Sequence, residues 1–305
     1  MLQLPTTIEK ICFKDVTLYL KRDDLIHTDF SGNKARKFHY YLENEFPSIK
    51  KLISYGSSQS NAMYSMSVLA KMRGWEFEFT VDHLSEYLRE NPCGNYAGAL
   101  KNGMLLRQAQ QPYIDQAKKQ SPPELAEGKA TLYIEEGGRQ KEAEYGIRIL
   151  AQEIMDWQAE QGIEELNVFL PSGTGTTALF LQKAFVGEGA PRPTVYTCPC
   201  VGDDTYLKKQ FSMLEGDELL HPSILTLEKK HHFGKLYKEN YKIWLELRQQ
   251  TGLEFDLLYD PLGWRVILEY QVLFDKPLMY IHQGGLLGNE SMLPRYERKY
   301  PELKL

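Results

Sequence analysis

One stretch of about thirty residues constrains the fold more than any other part of the chain. An apolar run, an amphipathic segment and a second apolar run follow one another there: KLISYG (51–56), SQSNAMYSMSVLAKMRG (58–74) and WEFEFTVD (75–82). The middle segment repeats small or apolar residues at helical spacing and ends at Gly74, where a helix stop belongs. A strand, a helix and a strand of these lengths require parallel pairing and a right-handed crossover. The predicted fold class is therefore α/β.

The same alternation recurs along the chain. A second strand-helix-strand unit is predicted from LNVFLPSG (166–173), TGTTALFLQKAF (174–185) and PTVYTCPC (193–200). A further strand is predicted at 16–22, and units of a strand followed by a turn are predicted at 130–138, 256–261 and 276–285. Further helices are predicted at 34–45 and from the turn at 138 to about residue 160, with a polar connection at 107–130. We expect two open, twisted, mostly parallel-sheet domains with a ligand cleft between them. Residues 1–37 with 150–305 would form the larger domain, and 38–149 the smaller one.

Composition excludes several classes of partner. The 305 residues carry a net charge of −5, which gives no reason to expect nucleic acid or an anionic membrane as a partner. No apolar run reaches transmembrane length, and the N-terminal residues do not form a signal peptide. Four cysteines, without a zinc or redox spacing, predict neither a disulfide framework nor a metal site. A reducing cytoplasm is the simplest expected compartment.

A glycine- and threonine-rich turn is the strongest binding signal. SGTGTT (172–177) follows a predicted strand and opens a helix, the place where ligands meet α/β sheets. Gly173 and Gly175 allow the backbone to approach a ligand, and the free N–H groups of a helix start attract an anion. The hydroxyls of Thr174, Thr176 and Thr177 add donors. A tight turn without any ligand is the alternative interpretation.

Two larger phosphate ligands fit this turn poorly. Residues 173–178 match G-x-G-x-x-A, but a dinucleotide site needs an acidic residue about 20 positions later, at the next strand end. Asp203 comes too late and too far into a loop. A P-loop needs Gly-Lys-Ser/Thr, which is absent here. The turn therefore favours a single phosphate monoester.

A lysine at a predicted helix start indicates what kind of phosphate compound the protein binds. Lys34 follows the polar turn Ser31-Gly32-Asn33, with Arg36 and Lys37 close behind. Cations are disfavoured at helix N-termini, so ordinary solvated surface charge is the competing explanation. Pyridoxal phosphate requires a lysine amine for its Schiff base and a phosphate cradle. The helix start and Lys37 would both make the Lys34 amine easier to deprotonate.

Seven segments together resemble a known family. They are LYLKRDDLIHTDFSGNKARK, YGSSQSNAMYSMSVLAKMRG, NPCGNYAGALKNGMLL, YIEEGG, SGTGTTA, HHFGKLYK and MYIHQGGLLG. They are similar, in order and over most of the chain, to the 1-aminocyclopropane-1-carboxylate (ACC) deaminase/D-cysteine desulfhydrase family. That family belongs to the fold-type-II, tryptophan-synthase-β-like pyridoxal-phosphate enzymes.

The resemblance implies a cofactor and a homodimer. Lys34 would form the Schiff base with pyridoxal 5'-phosphate, and Lys37 would help the 173–177 loop to hold the phosphate. Asn61 would bond the phenolic oxygen of the cofactor.

The resemblance also implies a substrate site. Ser60 would lie near a small amino-acid substrate, positioning its carboxylate or relaying a proton. Gln59, Ser60 and Asn61 open a predicted helix, whose N–H groups can receive that carboxylate. Simple helix capping is the alternative for Ser60 and Asn61.

Two family tyrosines are not found where the motifs place them. Family members carry Asp-Pro-x-Tyr followed by Thr or Glu, whereas YDPLGWRV has Gly263 and Trp264 at these positions. In FGKLYK, Leu236 stands at the second tyrosine position with Tyr237 next to it. The hypothesis for this departure is that Arg265 faces the pyridine nitrogen.

Three functions therefore remain open. The first is a pyridoxal-phosphate enzyme that deaminates a small amino acid, or eliminates sulfide from D-cysteine, with ammonia released. The second is a pyridoxal-phosphate-binding protein with lost or altered catalysis, acting as carrier or regulator. The third, an enzyme that binds a nucleotide at 173–178, is disfavoured by the motif spacing.

Overall fold

The computed structural model describes residues 2–30, 32–108, 130–187 and 192–304. The strands of this part are β1 (Ile8–Phe13), β2 (Val16–Lys21), β3 (Lys51–Tyr55), β4 (Glu76–Val81), β5 (Met104–Gln108), β6 (Thr131–Tyr133), β7 (Asn167–Ser172), β8 (Thr194–Pro199), β9 (Ser223–Ile224) and β10 (Leu278–Ile281). Its α-helices are α1 (Gly32–Glu43), α2 (Asn61–Arg73), α3 (Glu86–Glu90), α4 (Gly94–Lys101), α5 (Ala143–Glu160), α6 (Thr176–Gly187), α7 (Asp204–Ser212), α8 (Lys238–Thr251), α9 (Asp260–Glu269) and α10 (Asn289–Lys299).

The strands form two separate sheets, which confirms the predicted α/β class. One sheet has the order β1-β2-β10-β7-β8-β9, in which β1 and β2 are antiparallel and the remaining pairs are parallel. The other has the order β5-β4-β3-β6 and is parallel throughout. Both predicted strand-helix-strand units are present as parallel pairs, β3 with β4 and β7 with β8.

The central strands β7 and β10 of the six-stranded sheet are buried on both faces. Along β7, Val168 and Leu170 belong to a core shared with α5, α6 and α7, whereas Phe169 belongs to a core shared with α8, α9 and α10. Successive side chains of a strand point to opposite faces, so a strand covered by helices on both sides is apolar throughout. The four-stranded sheet has its own core, in which α1, α2 and α4 pack with residues such as Leu52 and Phe77.

One predicted strand is wrong. Residues 256–259 form no strand, and α9 begins at Asp260. The Asp256 carboxylate accepts hydrogen bonds from the backbone N–H groups of Leu258 (2.9 Å) and Tyr259, so side-chain contacts replace a strand ladder. The segment is therefore a turn that leads into a helix.

Other boundaries differ less. The segment 130–138, predicted as a strand ending in a glycine turn, forms the strand Thr131–Tyr133 followed by a 3₁₀ turn at Glu136–Gly138. α1 begins at Gly32, two residues earlier than predicted. Most of the predicted 107–130 connection lies outside the described residues, and the division into domains at 37/38 and 149/150 stays a prediction. Within the described ranges, no helix is long and apolar enough to cross a membrane.

Candidate active site

A cavity of about 990 Å³ opens where the carboxyl ends of both sheets meet. Its walls include residues that follow β3, β6, β7, β8 and β10, which is where α/β proteins bind ligands. Every residue predicted for the site from the sequence lines this one cavity: Lys34, Lys37, Gln59, Ser60, Asn61, Gly173, Thr174, Gly175, Thr176 and Thr177. The structure thus brings together side chains that are up to 143 positions apart, from residue 34 to residue 177.

Lys34 is the third residue of α1 and its side chain faces the cavity. Burial lowers its pKa to about 8, so desolvation is the first cause rather than the helix N-terminus that the sequence suggested. Within the described part of the chain, no hydrogen bond or ion pair engages its amine. Gln283, from the loop after β10, holds the start of the helix through two hydrogen bonds from Asn33. The Gln283 backbone carbonyl accepts from the Asn33 backbone N–H, and Gln283 Oε1 accepts from Asn33 Nδ2, both at 3.1 Å.

A buried ion network fixes the helix that carries Lys34. Arg36 is fully buried and donates to both carboxylate oxygens of Asp23, at 3.0 and 2.8 Å, and to both of Glu153, at 2.7 and 2.8 Å. Lys21 adds a 2.6 Å ion pair with Glu153. Since Asp23 follows β2 and Glu153 belongs to α5, the network ties α1 to two elements of the larger sheet. A Cβ at Gly146 of α5 would overlap the Arg36 carbonyl, so only glycine permits this close approach.

The glycine and threonine loop has the form of an anion cradle. Gly175 has φ +69° and its missing side chain leaves room for Phe211 and for Leu207. Thr174 Oγ1 lies 3.0 Å from Thr176 Oγ1. The Thr177 hydroxyl is buried and has no hydrogen-bond partner within the described residues. A donor held at the first turn of α6 without a partner is fitted to a ligand oxygen.

Lys37 completes this cradle. Its amine donates to the Gly137 carbonyl at 3.1 Å and to Thr174 Oγ1 at 3.4 Å. Burial, and then the nearby cations Lys34 and Arg139, lower its pKa well below the usual value for lysine. The protonated amine therefore lacks a counter-ion in the described residues, and a bound anion would supply one.

The Gln59-Ser60-Asn61 segment also lines the cavity, and it leads into α2. Ser60 is the N-cap residue, and its Oγ accepts from the N–H groups of Ala62 (3.2 Å) and Met63 (3.3 Å). The capping alternative is therefore correct for Ser60, and it is compatible with a site role, because the hydroxyl proton stays available for donation. Gln59 is held by the small-sheet segment before α4, donating to the Cys93 carbonyl at 3.2 Å.

Two residues that the sequence reading missed also line the cavity: Tyr259 and Asp260. The Tyr259 hydroxyl lies 3.4 Å from the position that a Cβ on Gly173 would take. Asp260 is 2% exposed, and its carboxylate accepts from the Tyr280 hydroxyl and from the Asp256 N–H (2.8 Å). Burial raises the pKa of both side chains.

These two residues correct the reading of the family motif. The sequence Asp256-Leu257-Leu258-Tyr259-Asp260 has the register of Asp-Pro-x-Tyr followed by an acidic residue, with leucine in place of proline. In the sequence analysis, the motif was matched to the Asp-Pro pair at 260–261, which lies four residues after the matching position at Asp256. The tyrosine of the pattern is therefore present in the cavity.

The residues that the sequence analysis placed in the motif, counting from the Asp-Pro pair at 260–261, do not face the cavity. Gly263 and Trp264 are buried in the core, with Trp264 stacked on Tyr280 at a centroid distance of 5.0 Å. Arg265 donates to Asn240 Oδ1 at 3.0 Å, away from the cavity walls, so the hypothesis that it faces a pyridine nitrogen is wrong.

The second tyrosine position is also displaced. Leu236 packs against the large core, and the Tyr237 hydroxyl accepts from the His232 N–H at 3.0 Å. Phe233 and Gly234 line the cavity instead, and the Phe233 ring lies 5.3 Å from the Tyr259 ring. A phenyl group without a hydroxyl therefore stands beside the cavity tyrosine.

Comparisons with known proteins identify the fold. No protein-family model matches the chain, and no curated protein sequence is detectably similar to it. Among solved structures, an ACC deaminase homologue superposes with a TM-score of 0.76 at 20% identity, covering 97% of this chain and 94% of that one. A hydrogen sulfide-producing enzyme from Fusobacterium nucleatum gives 0.63 at 13% identity, covering 92% and 93%. A pyridoxal 5'-phosphate-dependent aspartate racemase gives 0.61 at 12% identity, covering 92% and 90%. The chain thus has the fold-type-II architecture that its sequence predicted.

Proposed function

We propose that the protein is a pyridoxal-phosphate-dependent enzyme of the ACC deaminase/D-cysteine desulfhydrase family, which releases ammonia from a small amino acid. One observation carries the proposal: a buried lysine amine of lowered pKa shares a cavity with a loop sized for one phosphate group. Few ligands require both an amine nucleophile and a phosphate cradle, and pyridoxal phosphate requires both. The solved structures of the same fold support the cofactor assignment.

The cavity residues fit this cofactor at each end. The phosphate would bind to the N–H groups of 173–177, to the unsatisfied Thr177 hydroxyl and to Lys37. Lys34 would be bonded to the aldehyde carbon, and Asn61 would face the phenolic oxygen. Asp260 would face the pyridine nitrogen, the role that the family pattern gives to the residue after the tyrosine. Burial raises the pKa of the Asp260 carboxyl group, and a cationic N–H partner would favour its ionised form.

The chain's own residues would handle the substrate. When bound, the cofactor supplies an electron sink for the carbanion at the substrate carbon. Lys34 would take and return a proton at the substrate carbon, and a pKa of about 8 suits that role at neutral pH. The helix start at Gln59–Asn61 would receive the substrate carboxylate, with the Ser60 hydroxyl as donor. Tyr259 would donate or accept a proton at the substrate side chain.

The alternative of a non-catalytic binding protein has less support. It was motivated by the departure from the family motif at Gly263 and Trp264, and in the register that begins at Asp256, Tyr259 would take the role of the family tyrosine. Phe233 is the remaining departure near the cavity, and it bears on which substrate is used rather than on cofactor binding.

Two measurements test the proposal. The purified protein should absorb visible light, and Lys34→Ala should abolish that absorbance, whereas Lys71→Ala, an exposed lysine on α2, should leave it unchanged. The coloured protein should then release a 2-oxo acid and ammonia from ACC or from at least one D- or L-amino acid that has a leaving group on its β-carbon, with sulfide as an added product from D-cysteine. A wild-type protein that takes up no pyridoxal phosphate would refute the proposal.

We further propose a cytoplasmic homodimer. The four cysteines are all free in the structure, which agrees with a reducing compartment. Light scattering of the purified holoenzyme measures the subunit number, and fractionation of the source cells measures the compartment.

A further inference from the structure

One face of α10 forms part of the cavity mouth. The lining residues on this helix recur at helical spacing: Glu290, Ser291, Pro294, Arg295 and Arg298. The helix begins beside the small sheet, where Glu290 Oε2 accepts from the Gly94 N–H of α4 at 3.2 Å. It continues toward the tyrosine side, where Arg295 Nη2 donates to the Gly234 carbonyl at 3.4 Å. Phe233, the neighbour of Gly234, packs on Tyr259. The helix therefore spans the entrance from the Gln59 side to the Tyr259 side.

Among the residues that the structure describes, two guanidinium groups at this entrance have no carboxylate partner. Arg295 contacts neutral acceptors there, the Gly234 carbonyl and Met292 Sδ at 3.1 Å. Arg298 makes no hydrogen bond or ion pair with any residue that the structure describes. The acidic neighbour Glu297 is paired with Lys304 at 3.4 Å. An arginine pair left open at a cavity mouth favours a negatively charged group at that point.

The positive groups deeper in the cavity do not serve this purpose. Lys37 and the 173–177 loop form the phosphate cradle, and Lys34 is the amine nucleophile. The α-carboxylate of an amino acid is accounted for by the start of α2, at Gln59–Asn61. A guanidinium pair at the entrance is therefore left to contact the substrate side chain.

We propose that Arg295 and Arg298 select amino acids whose side chain carries a carboxylate. The inference rests on the proposed function, since it names the substrate class of the same site. An ion pair at 4 Å in water is worth about 1 kcal/mol, which corresponds to about a fivefold preference per arginine. Both arginines are exposed, so this solvent-screened value applies.

The test compares acids with their neutral amides on the holoenzyme. For D- and L-aspartate against asparagine, and for glutamate against glutamine, the ratio of the dissociation constant of the amide to that of the acid isolates the side-chain charge. Each dissociation constant is measured by the change in visible absorbance on adding the compound, because these amino acids carry no leaving group that ammonia release requires. We expect a ratio above one for the wild type. Arg295→Gln and Arg298→Gln should each lower it about fivefold and the double variant by more. Arg192→Gln, an exposed arginine outside the cavity, is the matched control and should leave the ratio unchanged. Added salt should also lower the wild-type ratio.

Three results would overturn the inference. Amides bound as tightly as acids by the wild type would show that the side-chain charge is not recognised. An equal loss of affinity for acid and amide in the double variant would place the arginines on the α-carboxylate instead. Unchanged affinities for both acid and amide in the double variant would place the arginines outside the substrate's reach. Failure of the wild type to bind pyridoxal phosphate is a different result, and it removes the proposed function itself.

Discussion

The lowered pKa of Lys34 leads to a quantitative prediction about cofactor uptake. Only the unprotonated amine attacks an aldehyde. With a pKa of about 8, about one Lys34 in ten is unprotonated at pH 7, against about one in 3,000 for a lysine at 10.5. Burial in the cavity therefore raises the reactive fraction about 300-fold at neutral pH.

Stopped-flow mixing of cofactor-free protein with pyridoxal phosphate measures this effect through the growth of visible absorbance. The rate should rise about tenfold per pH unit up to about pH 8 and then level off. The control is Nα-acetyl-lysine, whose rate with the same aldehyde should continue to rise toward pH 10. A protein rate that also rises to pH 10 would contradict a desolvated Lys34.

The same pKa shift makes a thermodynamic prediction. The unfolded chain holds the Lys34 proton more tightly than the folded chain between about pH 8 and 10.5, so the Lys34 contribution to the free energy of unfolding increases with pH across this window. In urea titrations, the stability advantage of Lys34→Met over wild type should therefore shrink from pH 8 to pH 10.5. An advantage that grows with pH would show that the sign of the shift is wrong.

Three further substitutions test the frame around the cavity. Arg36→Met leaves the buried Asp23 carboxylate unpaired and should lower the free energy of unfolding by about 3–5 kcal/mol, measured by urea titration; a loss below 1 kcal/mol would mean that the network does not anchor α1. Gly175→Ala forces a Cβ against Phe211 at φ +69° and should destabilise the protein by about 1–3 kcal/mol and weaken pyridoxal-phosphate binding, with unchanged affinity counting against the cradle. Tyr259→Phe should leave cofactor affinity within about threefold but lower kcat by about 100-fold, and a kcat within twofold of wild type would remove the tyrosine from the chemistry.

The sheets were predictable because their signal is local. Each strand-helix-strand unit can be recognised within about thirty consecutive residues. Apolar runs mark the strands that are covered on both faces, and helical spacing of apolar residues marks the helix between them. Gly74 ends α2 in the left-handed conformation, as its place in the sequence indicated. Turns that follow such strands converge at the sheet edge. The site residues could therefore be predicted from their positions after the strands.

The 256–260 segment was not predictable from local pattern. Its apolar residues Phe255, Leu257 and Leu258 suit a buried strand as well as a buried turn. The turn is selected by contacts that the pattern does not contain: Asn289, at the start of α10, accepts from the Leu257 N–H at 2.9 Å, and its side-chain amide donates to the Phe255 carbonyl at 2.9 Å. With a strand assumed there, the Asp-Pro pair at 260–261 was matched to the family motif, and Tyr259 was left without a role.

The three cations at the start of α1 show what the site adds to the sequence. They looked like one unfavourable cluster, but helical geometry separates them. Lys34 and Lys37, three positions apart, share a face, and Arg36 lies on another. Arg36 is neutralised by two carboxylates, so its charge stabilises the helix position. Lys34 and Lys37 have no carboxylate partner in the described residues, and burial lowers both of their pKa values. The fold neutralises one cation and leaves its two neighbours at the cavity wall, which is the arrangement that the proposed function requires.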